Sequence, residues 1–427
     1  MLREEMQAIG RLAGDALAGG GAFIEHTHAG IADRAFSHVP AGDSVRIIHD
    51  GVSRAVYAGV RGGLRSAAAA GAALASRRAR PDGTPLLATP RAAAALGALN
   101  GVYGDLVARR TPALAMTMSV RRHGADVPLA PEPVRAAFPD ATSRIAVFVH
   151  GLCETNDAWR LYGGRTYGQR LAAELHYTPV FVRYNTGLHI SDNGRELARL
   201  LSGLTRCWPV GVEEIVIVGH SMGGLVSRSA CHYGARQGMR FTDHIRHVFC
   251  LGTPHLGADL EKGANVLSWA LRRLPETRPM SEFLNARSVG IKDLRYGSCV
   301  EEDWCDCDPD EYLRDRCQEV PFLPDANYYF IGAALHPAAL GRLIGDLLVR
   351  MPSASGRGNG RGRHIPFELD NGHELAGLNH FQLLNHPAVY EQLRGWITRV
   401  PRRPLAALGP GPGSGSGEPA ALLSVEA

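Results

Sequence analysis

The stretch from Glu214 to Arg228, EIVIVGHSMGGLVSR, restricts what this chain can fold into more than any other part of it. Ile215 to Val218 form a short unbroken run of β-branched residues, which suits a strand buried on both faces. Leu225, Val226, Ala230 and Tyr233 then recur at helical spacing. Gly219, His220, Ser221, Met222 and Gly223 join the two segments and match G-x-S-x-G, a turn so tight that its serine takes a strained backbone conformation. The flanking glycines follow from that geometry, because strand and helix can approach only where a Cβ is missing. The turn thrusts the Ser221 hydroxyl out at the carboxyl end of its strand. A plain glycine-rich turn with a solvent-facing serine would require neither the strand before it nor the helix after.

The elbow has company on both sides. Residues 113–121 and 126–129 flank His123-Gly124-Ala125-Asp126 and predict a β-hairpin that opens a new domain. Arg144 to His150 is a strand of the buried type that runs into Gly151-Leu152, and residues 178–185, the stretch HIRHVFCLGTPH and residues 326–335 supply further strands. Between them lie helical patterns of ten to sixteen residues. One of these covers residues 191–206, with Ser191 as its expected N-cap and Gly194 a weak point inside it. Strands alternating with helices imply right-handed crossovers and a largely parallel sheet, the α/β class, with chemistry at its carboxyl edge.

Before residue 110 the chain is Ala-rich and predicts three or four helices, over 1–18, 22–37, 50–78 and 89–109, with Ile47, Val52, Val56, Val60 and Leu64 as an apolar set. The expected organisation is a helical region over 1–110, an α/β domain over 111–400 and a disordered tail over 401–427. Within the α/β domain, 256–325 is an insertion placed to serve as lid and pocket wall. Residues 353–363 read as a flexible loop.

Composition narrows the partners. A net charge of +4 over 427 residues, with no run of five or six Lys and Arg, speaks against nucleic acid. The first twenty residues carry acids and lack a clean apolar core, so no secretory signal is expected and a cytoplasmic protein is. The arginines at 61, 65, 77, 78 and 80 would allow peripheral contact with a lipid surface, although an ordinary packed helical appendage explains these helices as well. Oligomeric state is not readable. Cys153, Cys207, Cys231 and Cys250 read as small buried hydrophobes. Cys299, Cys305, Cys307 and Cys317 crowd an acidic segment that reads as a surface loop, without the C-x2-C spacing or histidine partner of a zinc site. No metal and no cofactor is expected.

A serine hydroxyl becomes a nucleophile only when a base removes its proton, and the base needs an acid to fix its tautomer. After a nucleophile elbow these partners come in chain order acid, then histidine. Of the eighteen histidines, His380 precedes an amphipathic helix containing Val389, Leu393, Trp396 and Ile397, whose packing would hold the ring still. His386, directly before Pro387, reads as a helix-start residue and is the second choice. His150 and His255 fall at the wrong place in the chain. Asp346 follows the strand ending near Leu335 and sits beside Leu347, Leu348 and Val349, which would desolvate it; Asp370 is the alternative. Attack on an acyl carbonyl also calls for two N–H donors. Met222 supplies one, and the loop after His150 the other, through Leu152 or else Cys153.

In order, VFVHGL at 147–152, GHSMGGLV at 219–226, LGTPHLGA at 251–258, GDLLV at 345–349 and GLNHFQLL at 377–384 resemble the blocks of the α/β-hydrolase superfamily. More narrowly they resemble its lipase/esterase branch, including bacterial lipases and glycosylphosphatidylinositol-inositol deacylase-like hydrolases. The resemblance covers about residues 113–398. It implies a mostly parallel central sheet flanked by helices, a Ser221, Asp346, His380 triad, and hydrolysis of small-molecule or lipid carboxylic esters through an acyl-enzyme. Thioester hydrolysis or acyl transfer would use the same parts, and a non-catalytic interaction module would keep only the scaffold. The insertion with its four cysteines and the helices before residue 110 depart from compact lipases.

Overall fold

The computed structural model describes residues 1–36, 43–77, 83–273, 277–334, 348–357 and 363–399. Its centre is one eight-stranded sheet made of β1 (Ser119–Arg122), β2 (Ala125–Val127), β3 (Arg144–Val149), β4 (Thr178–Arg183), β5 (Glu214–His220), β6 (Ile245–Leu251), β7 (Asn327–Ala334) and β8 (Gly372–Ala376). The strand order is β2-β1-β4-β3-β5-β6-β7-β8, and every pairing from β4 through β8 is parallel. β1 and β2 form the antiparallel hairpin expected after residue 113, but it is shorter than the sequence suggested, and β1 pairs antiparallel with β4.

The unbroken apolar runs are explained by burial on both faces. Ile215 and Ile217 of β5 join Val147, Val180, Val248 and the helices α6 (Ile190–Cys207) and α7 (Met222–Arg236) on one side, through Leu197, Leu201, Leu225 and Val226. Val216 and Val218 face the other way, onto Phe148, Phe249, α5 (Tyr167–Leu175) and the helix Pro387–Ile397, whose Tyr390, Leu393 and Trp396 are buried there. Pairing Gly219 with Val149 and His220 with Leu251 brings the carboxyl ends of β3, β5 and β6 level. The loops leaving those ends therefore meet.

Helix α6 is capped differently from the expectation. His189, not Ser191, is its N-cap residue, and the Asp293 carboxylate from the insertion accepts the Ile190 N–H at 2.8 Å. Ser191 Oγ instead accepts from Trp304 Nε1. Gly194 marks a close approach: a Cβ there would lie 2.1 Å from Ser229 Oγ on α7.

The strand β8 was not foreseen. Its residues, Gly-His-Glu-Leu-Ala, show no apolar alternation because it lies at the sheet edge, where backbone pairing to β7 holds it.

Two long helices open the chain, α1 (Arg3–Phe36) and α2 (Asp43–Arg77), so the two segments expected before residue 37 are one. The interruption expected at Gly19 to Gly21 costs only about 1 kcal/mol per glycine in a helix, which tertiary packing can offset. α1 and α2 are antiparallel and meet through small residues: a Cβ on Gly10 would lie 2.0 Å from the Ala72 Cβ, and one on Gly14 3.1 Å from that of Ala68. That contact turns four of the expected apolar set outward and leaves Leu64 half-buried. Ile47, Val52, Val56 and Val60 are 71%, 59%, 57% and 50% exposed. Among the described residues no helix is long and apolar enough to cross a membrane. The tail from residue 401 and residues 358–362 of the loop expected at 353–363 lie outside the described residues, while Ser353 and Ala354 end the short helix Met351–Ala354 and are buried rather than in a flexible loop.

Candidate active site

Ser221 joins β5 to α7 with φ 52° and ψ −122°, a left-handed backbone that a serine adopts only under constraint. Its N–H donates to the Leu251 carbonyl at 2.7 Å, which fixes the turn to the end of β6. The glycines are sterically required, as the motif predicts. A Cβ on Gly219 would lie 2.6 Å from the Gly224 nitrogen, and one on Gly223 would lie 2.2 Å from the Val149 carbonyl oxygen. Met222 is the first residue of α7, so its N–H belongs to the helix end that has no carbonyl partner within the helix.

The loop after β3 lies against this turn. Gly151 is so close that a Cβ on it would stand 2.9 Å from the Ser221 Cβ. Its N–H donates to Glu154 Oε2 at 2.7 Å, and the Cys153 N–H donates to Thr186 Oγ1 at 3.2 Å. Cys153 itself takes φ 62°.

His380 opens the 3-10 turn His380–Leu384, whose start is fastened by a reciprocal pair of Asn379 and Gln382 hydrogen bonds. The Tyr167 hydroxyl donates to the Leu383 carbonyl at 2.9 Å and accepts the His386 N–H at 2.7 Å, which ties that turn to α5. His380 is 2% exposed. Its ring lies 4.8 Å from the His220 ring, centroid to centroid, and a Cβ on Gly252 would meet it at 3.0 Å. Gly252 takes φ 60° just after β6, so glycine is needed there twice over. His386 is the N-cap of the helix Pro387–Ile397 and accepts the Ala388 N–H, the helix-start role foreseen for it.

Asp346 lies outside the described residues. Asp370 stands two residues before β8, whereas His380 follows its carboxyl end, and the five residues between occupy roughly 16 Å of strand. The two are therefore at opposite edges of the sheet. His150 and His255 are both fully buried. Burial pushes the His150 imidazole down to about 4, against the pull of the Gly151 carbonyl and the Glu154 charge. Burial also holds His255 well below its ordinary range, with Arg228 and Arg363 adding to the effect.

Elements outside the strand-helix core complete the carboxyl edge. Helix α3 (Pro90–Arg110) lies against the loops there through three small positions. A Cβ on Gly97 would stand 2.9 Å from Thr155, one on Gly101 2.3 Å from Cys153 Sγ, and one on Gly104 2.0 Å from Asn185 Oδ1. The insertion contributes α8 (Asp259–Leu271), α9 (Arg278–Asn285) and α10 (Val289–Asp293), and Ser288 Oγ donates to the Gly101 carbonyl at 2.6 Å. The acidic cysteine segment is more than a surface loop. Cys299 and Asp303 are buried, and the Asp303 carboxylate accepts the N–H groups of Cys299, Val300 and Gln318. All eight cysteines are free, and Cys153 and Cys207 are half-buried where the sequence suggested burial. Among the described residues no cluster could hold a metal ion.

Sequence reasoning missed one pair entirely. His220 and Glu154 lie against each other in the interior, with Nδ1 3.0 Å from Oε1, and His220 directly precedes Ser221. His220 occupies the variable second position of the elbow motif and Glu154 lies in an irregular loop. Neither place has a periodicity from which burial could be read.

Residues 140–308 match the family model of the PGAP1-like alpha/beta domain. No curated protein matches the sequence significantly. Among solved structures, the lipase BlEst2 of Bacillus licheniformis in mature form overlaps at 18% identity and a TM-score of 0.40, over 60% of this chain and 92% of its own. Lipase 1 from Pelosinus fermentans overlaps at 14% identity and 0.38, over 61% and 99%, and the Staphylococcus hyicus lipase at 14% and 0.35, over 60% and 94%. Overlaps this loose say nothing about activity. Residues 140–308 are thus similar to the PGAP1-like alpha/beta domain, and they lie within one eight-stranded, mostly parallel sheet flanked by helices.

Proposed function

We propose that the protein hydrolyses carboxylic esters through an acyl-enzyme on Ser221. The observation that carries this reading is the strained Ser221 at the joint of β5 and α7, together with a buried His380 whose ring lies 4.8 Å from that of His220, the residue before Ser221. Strain of this kind persists only where its surroundings enforce it, and here it aims one hydroxyl at the carboxyl edge.

In the proposed reaction Ser221 Oγ attacks the ester carbonyl while His380 takes its proton. The C–O bond to the alcohol breaks, and His380 returns the proton to the departing alkoxide. Water then attacks the acyl-enzyme by the same route, releasing the acid and restoring Ser221. Asp346, which follows β7 in the chain as an acid of this order should, orients His380. The placement of Asp370 at the far edge supports Asp346 over it. Met222 and Leu152 donate to the oxyanion. Of the three N–H groups after His150, those of Gly151 and Cys153 are already given to Glu154 and Thr186, which supports Leu152 as the donor. The chemistry requires no cofactor. Helix α3 and the insertion would wall the substrate channel, since both reach the loops at that edge.

Hydrolysis of p-nitrophenyl butyrate tests the proposal. The wild-type chain releases nitrophenol with a burst, and Ser221→Ala lowers kcat by roughly four orders of magnitude or more. Turnover by Ser221→Ala at the wild-type rate would remove the acyl-enzyme.

A further inference from the structure

The buried pair of Glu154 and His220 links three loops by side-chain bonds to backbone. Glu154 is nine-tenths buried, yet its carboxylate accepts the Gly151 N–H at 2.7 Å and faces His220 Nδ1 at 3.0 Å from Oε1 and 3.1 Å from Oε2. The other nitrogen of the ring, Nε2, lies 3.2 Å from the carbonyl oxygen of His380. Both ring nitrogens thus face acceptors. A neutral imidazole has one N–H and could satisfy only one of them; beside an ionised Glu154, both are met when the ring carries both protons. A buried imidazolium is tolerable only beside its counter-ion, and a buried carboxylate only beside a cation and an N–H. Burial alone would push the Glu154 carboxyl up, but the His220 charge and hydrogen bond and the Gly151 N–H outweigh it and hold it below the usual carboxylate range.

We propose that Glu154 is a positioning residue of the ester-hydrolysing site: through His220 it fixes the loop of Gly151 and Leu152, the elbow of Ser221 and the turn of His380 relative to one another. The inference rests on the function proposed above. Glu154 acts on the loop through the Gly151 N–H and on the histidine turn through His220. The pair stands where the three functional segments converge, so losing its charge loosens their spacing without removing any of them. A displacement of about 1 Å between nucleophile, base and oxyanion donors is enough to cost on the order of a hundredfold in rate.

Glu154→Gln is the first test, because the amide keeps an acceptor for the Gly151 N–H and removes only the charge. With p-nitrophenyl butyrate the variant is expected to lose roughly 10- to 100-fold in kcat with KM within about twofold. Its pH profile should change as well. Among the described residues, the groups facing His220 include Glu154 on the loop after β3, His150 at the end of β3 and His380 on the turn after β8, with the neutral Trp159 edge beside them. Glu154 is the carboxylate among these. Without that carboxylate the charged form of His220 is favoured less, so the pH dependence of the variant's activity should differ from that of wild type. A merely structural role would lower the amount of folded enzyme and leave the profile alone. Should Glu154→Gln not fold, His220→Asn serves instead: it can still bond Glu154 but cannot reach the His380 carbonyl, and its labelling at Ser221 by a fluorophosphonate should slow about tenfold or more. Wild-type kcat and pH profile in folded Glu154→Gln, or wild-type labelling in His220→Asn, overturn the positioning role alone. A wild-type protein that neither turns over the ester nor takes the label overturns that role together with the reading beneath it.

Discussion

Gly151 and Ser221 are in backbone-to-side-chain contact across the mouth of the proposed site: a methyl group on Gly151 would stand 2.9 Å from the Ser221 Cβ and 3.2 Å from Glu154 Oε2. No real Cβ tolerates the first distance, so Gly151→Ala must push the loop after β3 away from the elbow. Since that loop carries the proposed oxyanion donor Leu152, the variant should lose roughly 100-fold or more in kcat while unfolding only slightly earlier on heating. A folded Gly151→Ala with wild-type kcat would place the donor elsewhere.

Gly252 supports the base in the same way. Its φ of 60° already strains any other residue, and a Cβ would press within 3.0 Å of the His380 ring. Gly252→Ala should cost about 1 to 2 kcal/mol in stability from the left-handed backbone alone. Its loss in kcat should be larger than that stability loss explains, read at a temperature where the variant is fully folded. Proportional losses would mean that the ring is not disturbed.

The acid can be assigned by a paired comparison. Asp346→Asn should lower kcat by about 10⁴-fold with little change in melting temperature, as expected when a triad histidine is left in the wrong tautomer. Asp370→Asn, at the opposite end of β8, should keep wild-type kcat. The reverse result in the pair would transfer the role and contradict the placement of Asp370 at the amino edge.

Much of this arrangement is legible in the sequence, and what is not shares a cause. The buried strands β3 to β7 announce themselves because both faces need apolar residues, and the elbow glycines because their crowding leaves no alternative. β8 does not, since Gly372 to Ala376 sit at an edge where hydrogen bonds to β7 suffice. The outward turn of Val52, Val56 and Val60 is equally hidden: helical spacing reports a face but not which face is chosen, and here the close approach of Gly10 to Ala72 and Gly14 to Ala68 chose. The cap of α6 and the pair of Glu154 with His220 depend on side chains brought from distant segments, which no local pattern records.

Neutral histidines, the buried His150 and the largely covered His247, should make the fold sensitive to mild acid. Burial pushes both His150 and His247 down to about 4, with the Glu214 charge opposing the effect at His247. Unfolded, each takes up a proton near 6.5, so between about 6.5 and 4 the unfolded chain binds more protons and stability falls as pH falls. Each contributes on the order of 3 kcal/mol across that window. The melting temperature should therefore drop steadily from pH 7 to pH 4, and His247→Gln should flatten the slope. An unchanged slope in that variant would mean that His247 is already charged in the folded protein.

The central claim is that Ser221 is a nucleophile activated by His380, and covalent capture tests it most directly. Wild-type protein treated with a fluorophosphonate, digested and examined by mass spectrometry should carry one phosphonyl group, on the peptide containing Gly219 to Gly223. Ser221→Ala should carry none, and His380→Ala should react slower by orders of magnitude. A wild-type chain left unmodified under conditions that saturate a known serine esterase, or one modified at a serine other than Ser221, would contradict the account.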